Sequence, residues 1–194
     1  MARSRVGILA LQGDFEAHAK ALESAGADPV LVRTAEELQD IDGLVIPGGE
    51  STTMLKLIDF MNLREPLRAF ARQKPVFGTC AGAILLAKEV ENPSQESFGV
   101  VDLTVERNAY GRQIDSCVAS LHAAPDFEKR TGAGDLEAVF IRAPKIRRTG
   151  PAVKVLAEYE GDPVLVEEGP HLVATFHPEL TQDSRVHKLF LSKL

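Results

Sequence analysis

Short apolar runs alternate with segments of helical periodicity through the first half of the chain. Four runs have the length and the flanking glycine or proline residues of buried strands: RVGILAL (5–11), PVLVR (29–33), GLVIPGG (43–49) and PVFG (75–78). A helical segment follows each of them. Strands that alternate with helices are typical of parallel sheets with crossover connections. The pattern therefore predicts an α/β fold with a parallel core.

Capping residues mark the starts of the predicted helices. The first helix begins at about Asp14, and one of its faces carries Phe15, His18, Ala19 and Leu22. Thr34 and Glu37 have the spacing of a capping box, which predicts a short helix. Ser51 is expected to cap the helix TTMLKLIDF (52–60).

From Phe98 onward the apolar runs become closely spaced. They are separated by glycine, proline and aspartate: VVDLTVE (100–106), SCVASLH (116–122), EAVFIRA (137–143), VKVLAEY (153–159), PVLVEE (163–168) and HLVATFH (171–177). Such spacing predicts antiparallel strands that extend or flank the parallel core. The segment from Ala123 to Asp135 is expected to be a mobile loop. A last helix, in residues 183–194, is predicted to face inward with Val186, Leu189 and Phe190.

Composition limits the class of protein. The chain has 194 residues, 44% of them apolar, and a net charge of −6, which fits one globular domain over residues 1–194 and argues against a nucleic-acid partner. The apolar run behind Arg3 and Arg5 is too short for a signal peptide or a membrane span. Two cysteines, Cys80 and Cys117, are interpreted as free thiols. We therefore expect a cytoplasmic protein.

Cys80 lies in the pattern GTCAG, between Gly78 and Gly82. The pattern follows a predicted strand and opens the predicted helix GAILLAKEV (82–90), the context of a nucleophile elbow. The following helix favours a thiolate at its positive end. The alternative is a small buried core cysteine, a common environment for this residue. The glycines and the strand-to-helix context favour the interpretation of Cys80 as a nucleophile. Cys117 has no such context and is interpreted as a structural or surface thiol.

A nucleophilic cysteine needs a base, and the chain has five histidines. His177 ends an apolar run and is followed by Pro178 and Glu179. In an extended segment, residues two apart point to the same side, so Glu179 is predicted to orient the imidazole. The alternative is a strand end with an incidental histidine and glutamate. The other histidines, His18, His122, His171 and His187, are interpreted as structural or solvated.

The segment PGGEST (47–52) ends the third predicted strand. Its glycine pair exposes backbone N–H groups that can stabilise an oxyanion. Gly49 N–H and Ala81 N–H, the latter following the nucleophile, are predicted to form a two-donor oxyanion hole. A phosphate-binding turn before a helix is the alternative interpretation. Arg107 and Arg142, in strand-like runs, are either solvated or suited to a substrate carboxylate.

Six ordered motifs together resemble one family. ALQGDFEAH, PGGEST, FGTCAG, VERNAYGRQIDS, FIRAP and FHPELTQD are similar to those of the glutaminase subunits of pyridoxal 5′-phosphate synthase (PdxT), which are class I glutamine amidotransferases. The resemblance runs from about Gly7 to the last helix; only the stretch from Leu121 to Leu136 matches no family motif. It implies a three-layer, flavodoxin-like α/β fold with a mainly parallel central sheet, flanking helices and added antiparallel strands.

The resemblance also implies a reaction and its residues. L-Glutamine is hydrolysed to glutamate and ammonia, and the ammonia passes to a synthase subunit, PdxS, in a hetero-oligomeric complex that makes the vitamin B6 coenzyme. Family members are typically active only when docked on that partner. The triad maps onto Cys80, His177 and Glu179, and no metal ion or cofactor is needed. The glutamine-binding residues map onto Gly49, Glu50, Ser51, Arg107, Ile141 and Arg142.

Two other classes use parts of the same pattern. A cysteine hydrolase of γ-glutamyl or peptide substrates would share the triad, but it would release little ammonia from glutamine and need no synthase. A non-catalytic phosphate-binding module could use PGGEST, yet it would leave the cysteine, histidine and glutamate without a role. Ammonia release from glutamine distinguishes these classes.

Overall fold

The structure, a computed structural model, describes residues 3–109 and 116–194. Its strands are β1 (Arg5–Leu9), β2 (Asp28–Val32), β3 (Gly43–Ile46), β4 (Val76–Thr79), β5 (Ala87–Glu91), β6 (Val101–Glu106), β7 (Ser116–Leu121), β8 (Leu136–Ile141), β9 (Lys145–Thr149), β10 (Lys154–Tyr159), β11 (Asp162–Glu168) and β12 (His171–Ala174). Its α-helices are α1 (Phe15–Ala25), α2 (Ser51–Phe60), α3 (Arg64–Ala71), α4 (Ala81–Leu86), α5 (Pro125–Thr131) and α6 (Arg185–Leu191). Two short 3-10 turns cover Glu36–Leu38 and Pro178–Leu180.

The core is a seven-stranded sheet in the order β10-β11-β12-β4-β3-β1-β2. The five strands from β12 to β2 run parallel to one another. Strands β11 and β10 extend the β12 side in antiparallel pairing. The predicted α/β fold, with a mainly parallel centre and added antiparallel strands, is confirmed.

Alternating residues of the central strands feed two separate apolar layers. In β3, Leu44 and Ile46 belong to one cluster together with residues of α2, α3 and α4. Val45 belongs to the other cluster, with residues of α1, α5 and α6. Because successive side chains of a strand point to opposite faces, both faces of the sheet are buried under helices. Val186, Leu189 and Phe190 of α6 face inward, as predicted.

Two small sheets accompany the core. Strand β6 pairs with β5 in parallel and with β9 in antiparallel direction. Strands β7 and β8 pair along their whole length, and β8 brings Ile141 and Arg142 towards the carboxyl ends of the central strands, where Cys80 and His177 also lie. No helix in residues 3–109 or 116–194 has the length and apolarity needed to cross a bilayer.

Several predicted elements differ from those observed. The helix predicted over residues 82–90 ends at Leu86, and β5 follows because Ala87 is extended and the segment pairs with β6. The predicted loop Ala123–Asp135 contains α5, whose Phe127 is fully buried. Glu50, not Ser51, caps α2: its carboxylate accepts hydrogen bonds from two backbone N–H groups of the first turn.

The remaining differences concern short or unassigned segments. The predicted capping box forms only in part: Glu37 accepts hydrogen bonds from Arg33 and Thr34 N–H, but the turn is a single 3-10 turn. Helix α3 and strand β9 were not predicted. The end of the motif VERNAYGRQIDS, residues 110–115, lies outside the described residues.

Candidate active site

Cys80 occupies a sharp turn between β4 and α4. Its backbone has φ 48° and ψ −103°, in a region that residues other than glycine rarely adopt. Its N–H donates to the Ala174 carbonyl of β12 at 2.9 Å, and its Sγ lies 3.9 Å from the Ile141 carbonyl oxygen. The predicted elbow is therefore present, and its strained conformation belongs to the cysteine itself.

The glycines around Cys80 allow close packing of α4 on the sheet. A Cβ atom at Gly82 would lie 2.1 Å from the Ile46 carbonyl oxygen of β3. A Cβ atom at Gly78 would lie 2.6 Å from the Gly82 carbonyl oxygen. Real Cβ atoms do not approach oxygen so closely, so both positions need glycine for contact distance, not for their backbone angles.

His177 and Glu179 are in direct contact. The Glu179 Oε1 atom lies 2.7 Å from His177 Nδ1. The backbone N–H of His177 donates to the Val139 carbonyl of β8 at 2.8 Å. The predicted pairing is confirmed, but its predicted backbone is wrong: Pro178–Leu180 forms a 3-10 turn instead of continuing an extended strand. Glu179 is completely buried behind the imidazole.

The charge state of His177 follows from these neighbours. Burial lowers the pKa of His177, but hydrogen bonds with Cys80 and Glu179 and the charges of both outweigh burial and raise the pKa to about 10. The imidazole is therefore protonated at neutral pH. An imidazolium paired with a thiolate is the activated form of a cysteine nucleophile.

The glycine turn after β3 packs directly against Cys80 and His177. A Cβ atom at Gly48 would lie 2.5 Å from His177 Cε1 and 3.3 Å from Cys80 Cβ. A Cβ atom at Gly13 would lie 1.8 Å from the Gly48 carbonyl oxygen, so the loop after β1 presses on the same turn. Gly49 has φ 144° and lies beside the Gln12 side chain. The oxyanion hole formed by Gly49 and Ala81 stays a prediction.

A cleft of about 300 Å³ opens in front of Cys80 and His177. Its lining contains all six predicted glutamine-binding residues, namely Gly49, Glu50, Ser51, Arg107, Ile141 and Arg142. It also contains residues to which the sequence interpretation gave no role, among them Asp14, Ile84, Asn108 and Pro144. The sequence offered one indication for Asn108, its place in the motif VERNAYGRQIDS. Ala81 is buried beneath the cleft floor.

Glu50 and Arg107 form an ion pair across the cleft wall. The Arg107 Nη2 atom lies 3.3 Å from Glu50 Oε1, and it donates to Thr52 Oγ1 at 2.7 Å. Burial raises the pKa of Glu50, but hydrogen bonds from Thr53 and Thr52 lower it to about 2. Both side chains are therefore charged and already have partners before any ligand arrives.

Ser51 and Arg142 reach the cleft in different ways. The Ser51 hydroxyl donates to Gln95 Oε1 at 2.9 Å, away from α2. Arg142, at the end of β8, is exposed and has φ 45°. Backbone strain of this kind is common where a side chain or carbonyl is aimed at a ligand.

A second layer of histidines lies behind Glu179, which the sequence interpretation did not connect to the site. His18 Nε2 lies 3.3 Å from Glu179 Oε2 and 3.1 Å from Thr79 Oγ1. His18 Nδ1 lies 3.2 Å from His187 Nε2. Both histidines are fully buried. Their only sequence signal was a place on the inward face of their helices.

Known proteins resemble this chain over its whole length. The SNO glutamine amidotransferase family model matches residues 8–194. A relative from Solibacter usitatus (strain Ellin6076), named pyridoxal 5′-phosphate synthase subunit PdxT, is 66% identical over 98% of this chain and 99% of its own. A relative of the same name from Koribacter versatilis (strain Ellin345) is 56% identical over 96% of this chain and 94% of its own.

A solved structure, described as a glutamine amidotransferase, agrees in fold. It is 45% identical, covers 97% of both chains and superposes with a TM-score of 0.87. The family match and this structure both name a glutamine amidotransferase, the class that the sequence motifs resemble. The chain therefore belongs to the SNO glutamine amidotransferase family.

Proposed function

We propose that this chain is the glutaminase subunit of a pyridoxal 5′-phosphate synthase, which hydrolyses L-glutamine to L-glutamate and ammonia. The observation that carries the proposal is the contact of Glu179 with His177, whose imidazole lines the same cleft as Cys80. Full-length relatives with the PdxT name support the assignment. Residues 1–194 are proposed to form a single glutaminase domain.

The first half-reaction uses the imidazolium. Cys80, as the thiolate of a thiolate–imidazolium pair, attacks the side-chain amide carbon of glutamine, and the amide oxygen becomes an oxyanion that Gly49 and Ala81 N–H are proposed to bind. His177, protonated because its pKa is near 10, gives its proton to the leaving nitrogen. The C–N bond breaks, ammonia departs and a thioester remains on Cys80.

The second half-reaction reverses these proton transfers. His177 is now neutral and takes a proton from a water molecule, which attacks the thioester carbonyl. The C–S bond breaks, the new side-chain carboxyl group of glutamate loses its proton to solvent, and the thiolate and imidazolium are restored. Glu179 stays bonded to Nδ1 throughout, so it fixes the tautomer and leaves Nε2 to exchange protons with the substrate.

The cleft offers groups of both charges to the amino-acid end of the substrate. Glu50 is suited to the α-amino group and Arg107 to the α-carboxylate. Ser51, Ile141 and Arg142 complete the lining around them. A volume of about 300 Å³ is within the range of small-molecule sites.

The ammonia is proposed to pass to the PdxS synthase subunit in a hetero-oligomeric complex. Ammonia protonates at neutral pH and then loses its nucleophilicity, so a covered route between the subunits preserves it. We propose that the complex works in the cytoplasm, where a reducing environment keeps the free thiol of Cys80 available. The chemistry uses neither a metal ion nor a cofactor.

The decisive experiment measures ammonia release from glutamine with and without the synthase subunit. We expect release by the complex, and we expect the Cys80→Ala variant to lose it by at least about a thousandfold, because the nucleophile is absent. Cys117→Ala, at the exposed thiol, is the matched control and should retain activity. Binding of Cys80→Ala to the synthase should be unchanged.

Three outcomes would contradict the proposal. A Cys80→Ala complex that still releases ammonia would exclude the nucleophile. Hydrolysis of γ-glutamyl peptides with little release from glutamine would favour a peptide hydrolase. A chain that binds phosphate at the turn formed by residues 47–52 and hydrolyses nothing would favour a binding module.

A further inference from the structure

The buried contacts behind Glu179 form a continuous line of hydrogen-bonding groups. His187 of α6 contacts His18 of α1, and His18 contacts both Thr79, the residue before the nucleophile, and Glu179. His187 also packs edge-on against Phe77 at 5.8 Å between ring centroids. These contacts connect α1 and α6, which cover the same face of the sheet, to the end of β4, directly before Cys80.

The arrangement fixes where the protons of the two imidazoles lie. Within the described residues, His187 Nδ1 is buried and has no hydrogen-bond partner. A buried nitrogen without a partner is tolerated far better as an acceptor than as an N–H donor. The His187 proton is therefore on Nε2 and is donated to His18 Nδ1, which leaves the His18 proton on Nε2, facing Glu179 and Thr79.

Both imidazoles are neutral in this arrangement. Burial, followed by the nearby His187 and His177, holds the pKa of His18 well below its usual range. Burial lowers the pKa of His187 to about 4. A neutral pair carries one N–H donor each, so the proton positions given above use both donors.

Glu179 needs the donor that His18 can offer. Its Oε1 faces His177 Nδ1, but its Oε2 is buried and accepts no well-aligned hydrogen bond within the described residues. His18 Nε2 lies 3.3 Å from Oε2, and the same nitrogen lies 3.1 Å from Thr79 Oγ1. A buried carboxylate oxygen without a donor costs free energy, so a small rotation of His18 towards Glu179 is favoured.

We propose that His18, held by His187, is a positioning residue for the triad: its Nε2–H moves between Thr79 and Glu179 as the charge of His177 changes. This inference rests on the proposed function. While His177 is an imidazolium, its positive charge compensates Glu179. After His177 has given its proton to ammonia, the buried carboxylate loses that partner, and the His18 N–H then stabilises it through Oε2.

Other charged groups around Glu179 belong to different surroundings. A cavity of about 320 Å³ is lined by Glu179 itself, by Asp14 at the start of α1, by Glu16 and Lys20 within α1, and by Asp183 before α6. No ion pair or hydrogen bond between any of them and Glu179 is found in the part of the chain that the structure describes. His18 and His177 are therefore the groups through which its charge is compensated.

The test follows the thiolate of Cys80 directly. In a Cys117→Ala background, which removes the exposed second thiol, iodoacetamide alkylation of the full chain is measured from pH 5 to 10. The variants are His18→Phe, His18→Gln and His187→Phe, and His171→Phe is the matched control, a buried histidine on β12 that does not contact the triad. The values of kcat and KM for glutamine are measured in the complex with the synthase subunit, and thermal unfolding is recorded for each.

For His18→Phe we expect the alkylation midpoint to fall by about one pH unit. The reason is that Glu179, without the His18 donor, is compensated by His177 alone, so the imidazolium that stabilises the Cys80 thiolate is favoured over the neutral imidazole. We expect kcat to fall about tenfold with KM nearly unchanged, because proton transfer from His177 to the leaving nitrogen loses the hydrogen bond that stabilises its product. His18→Gln keeps an N–H donor and should reverse most of both changes, and His187→Phe should shift the midpoint in the same direction by less. His171→Phe should lower only the unfolding temperature.

The positioning role is wrong if His18→Phe and His171→Phe have the same alkylation midpoint and kcat. It is also wrong if His18→Gln is no better than His18→Phe. If His18→Phe does not fold, an unshifted midpoint in His187→Phe excludes the role. A wild-type complex that releases no ammonia would overturn the proposed function, whereas the alkylation profiles would still decide the contribution of His18.

Discussion

At Gly82 the active site depends on the absence of one carbon atom. The Ile46 carbonyl of β3 occupies the place where a Cβ atom would stand. The helix that follows Cys80 therefore sits closer to the sheet than any other residue would allow, and this distance fixes the height of the thiol above the strand ends. The nucleophile is positioned by packing at a residue two places along the chain.

Gly82→Ala should therefore damage the site more than the fold. A methyl group there must push α4 away from β3, which costs about 1–3 kcal/mol of unfolding free energy. We expect at least a tenfold lower kcat, because a displacement near 1 Å misaligns the reacting groups. Urea unfolding and ammonia release measure the two effects.

Gly26→Ala provides the comparison for that substitution. Gly26 ends α1 with φ 101° and has open space around it, so alanine there strains only the backbone, by roughly 1–2 kcal/mol. A similar loss of stability with full activity is expected. Equal activity losses in both variants would mean that general destabilisation, not the position of α4, explains the effect.

Residue patterns brought Cys80, His177 and Glu179 to one site but did not predict the layer of histidines behind them. GTCAG and HPE are local, so their geometry could be deduced from neighbouring residues. His18 and His187 are 169 positions apart in the chain, and their contact exists only because α1 and α6 cover the same face of the sheet. A histidine on an apolar helix face gives no signal of what it will touch.

Elements were predicted well where periodicity was long and poorly where pairing overrode propensity. The strands of the central sheet are continuous apolar runs and were recognised. Residues 87–90 contain good helix formers, yet they form β5 because pairing with β6 buries Ala87 and Val90. The turn before α2 shows the same limit: serine is the commoner cap, but here Glu50 reaches the free N–H groups.

The cap of α2 can be tested by substitution. Glu50→Ala removes the acceptor for Thr52 and Thr53 N–H, and we expect the unfolding free energy to fall by about 1 kcal/mol. Glu65→Ala is the matched control: Glu65 lies in the first turn of α3, where it forms an ion pair with Arg68 on the surface, and its loss should cost less than about 0.5 kcal/mol. Equal urea midpoints for the two variants would contradict the cap.

The whole molecule buries histidines in two opposite charge states. His187 is neutral, with its pKa lowered by burial to about 4, whereas that of His177 is raised to about 10. A histidine whose pKa is lowered by folding reduces the free energy of unfolding as the pH falls below 6.5, because the unfolded chain binds a proton there and the folded chain does not. A raised one contributes stability below pH 6.5 that is lost as the pH approaches 10.

We therefore expect stability to decline towards both acid and alkaline pH. Between pH 7 and pH 5, His187 alone should remove about 2 kcal/mol of unfolding free energy, by the linkage of its pKa to folding. Urea unfolding across this range measures the loss. His187→Phe keeps an aromatic ring against Phe77 and should reduce the dependence of the unfolding free energy on pH between pH 7 and pH 5. If that dependence is unchanged in the variant, the buried neutral histidine is not the cause of the acid destabilisation.

The ion pair between Arg107 and Glu50 has a consequence for substrate choice. Each charge already has a partner in the empty cleft, so a ligand that offers only one charge must separate the pair and leave the other member alone. A zwitterion such as free glutamine would supply an anion to Arg107 and a cation to Glu50 at the same time, so it would exchange one ion pair for two. A glutamine residue inside a peptide chain carries neither charge there. We therefore propose that the closed pair favours a free amino acid over a peptide at the binding step, before any bond is broken.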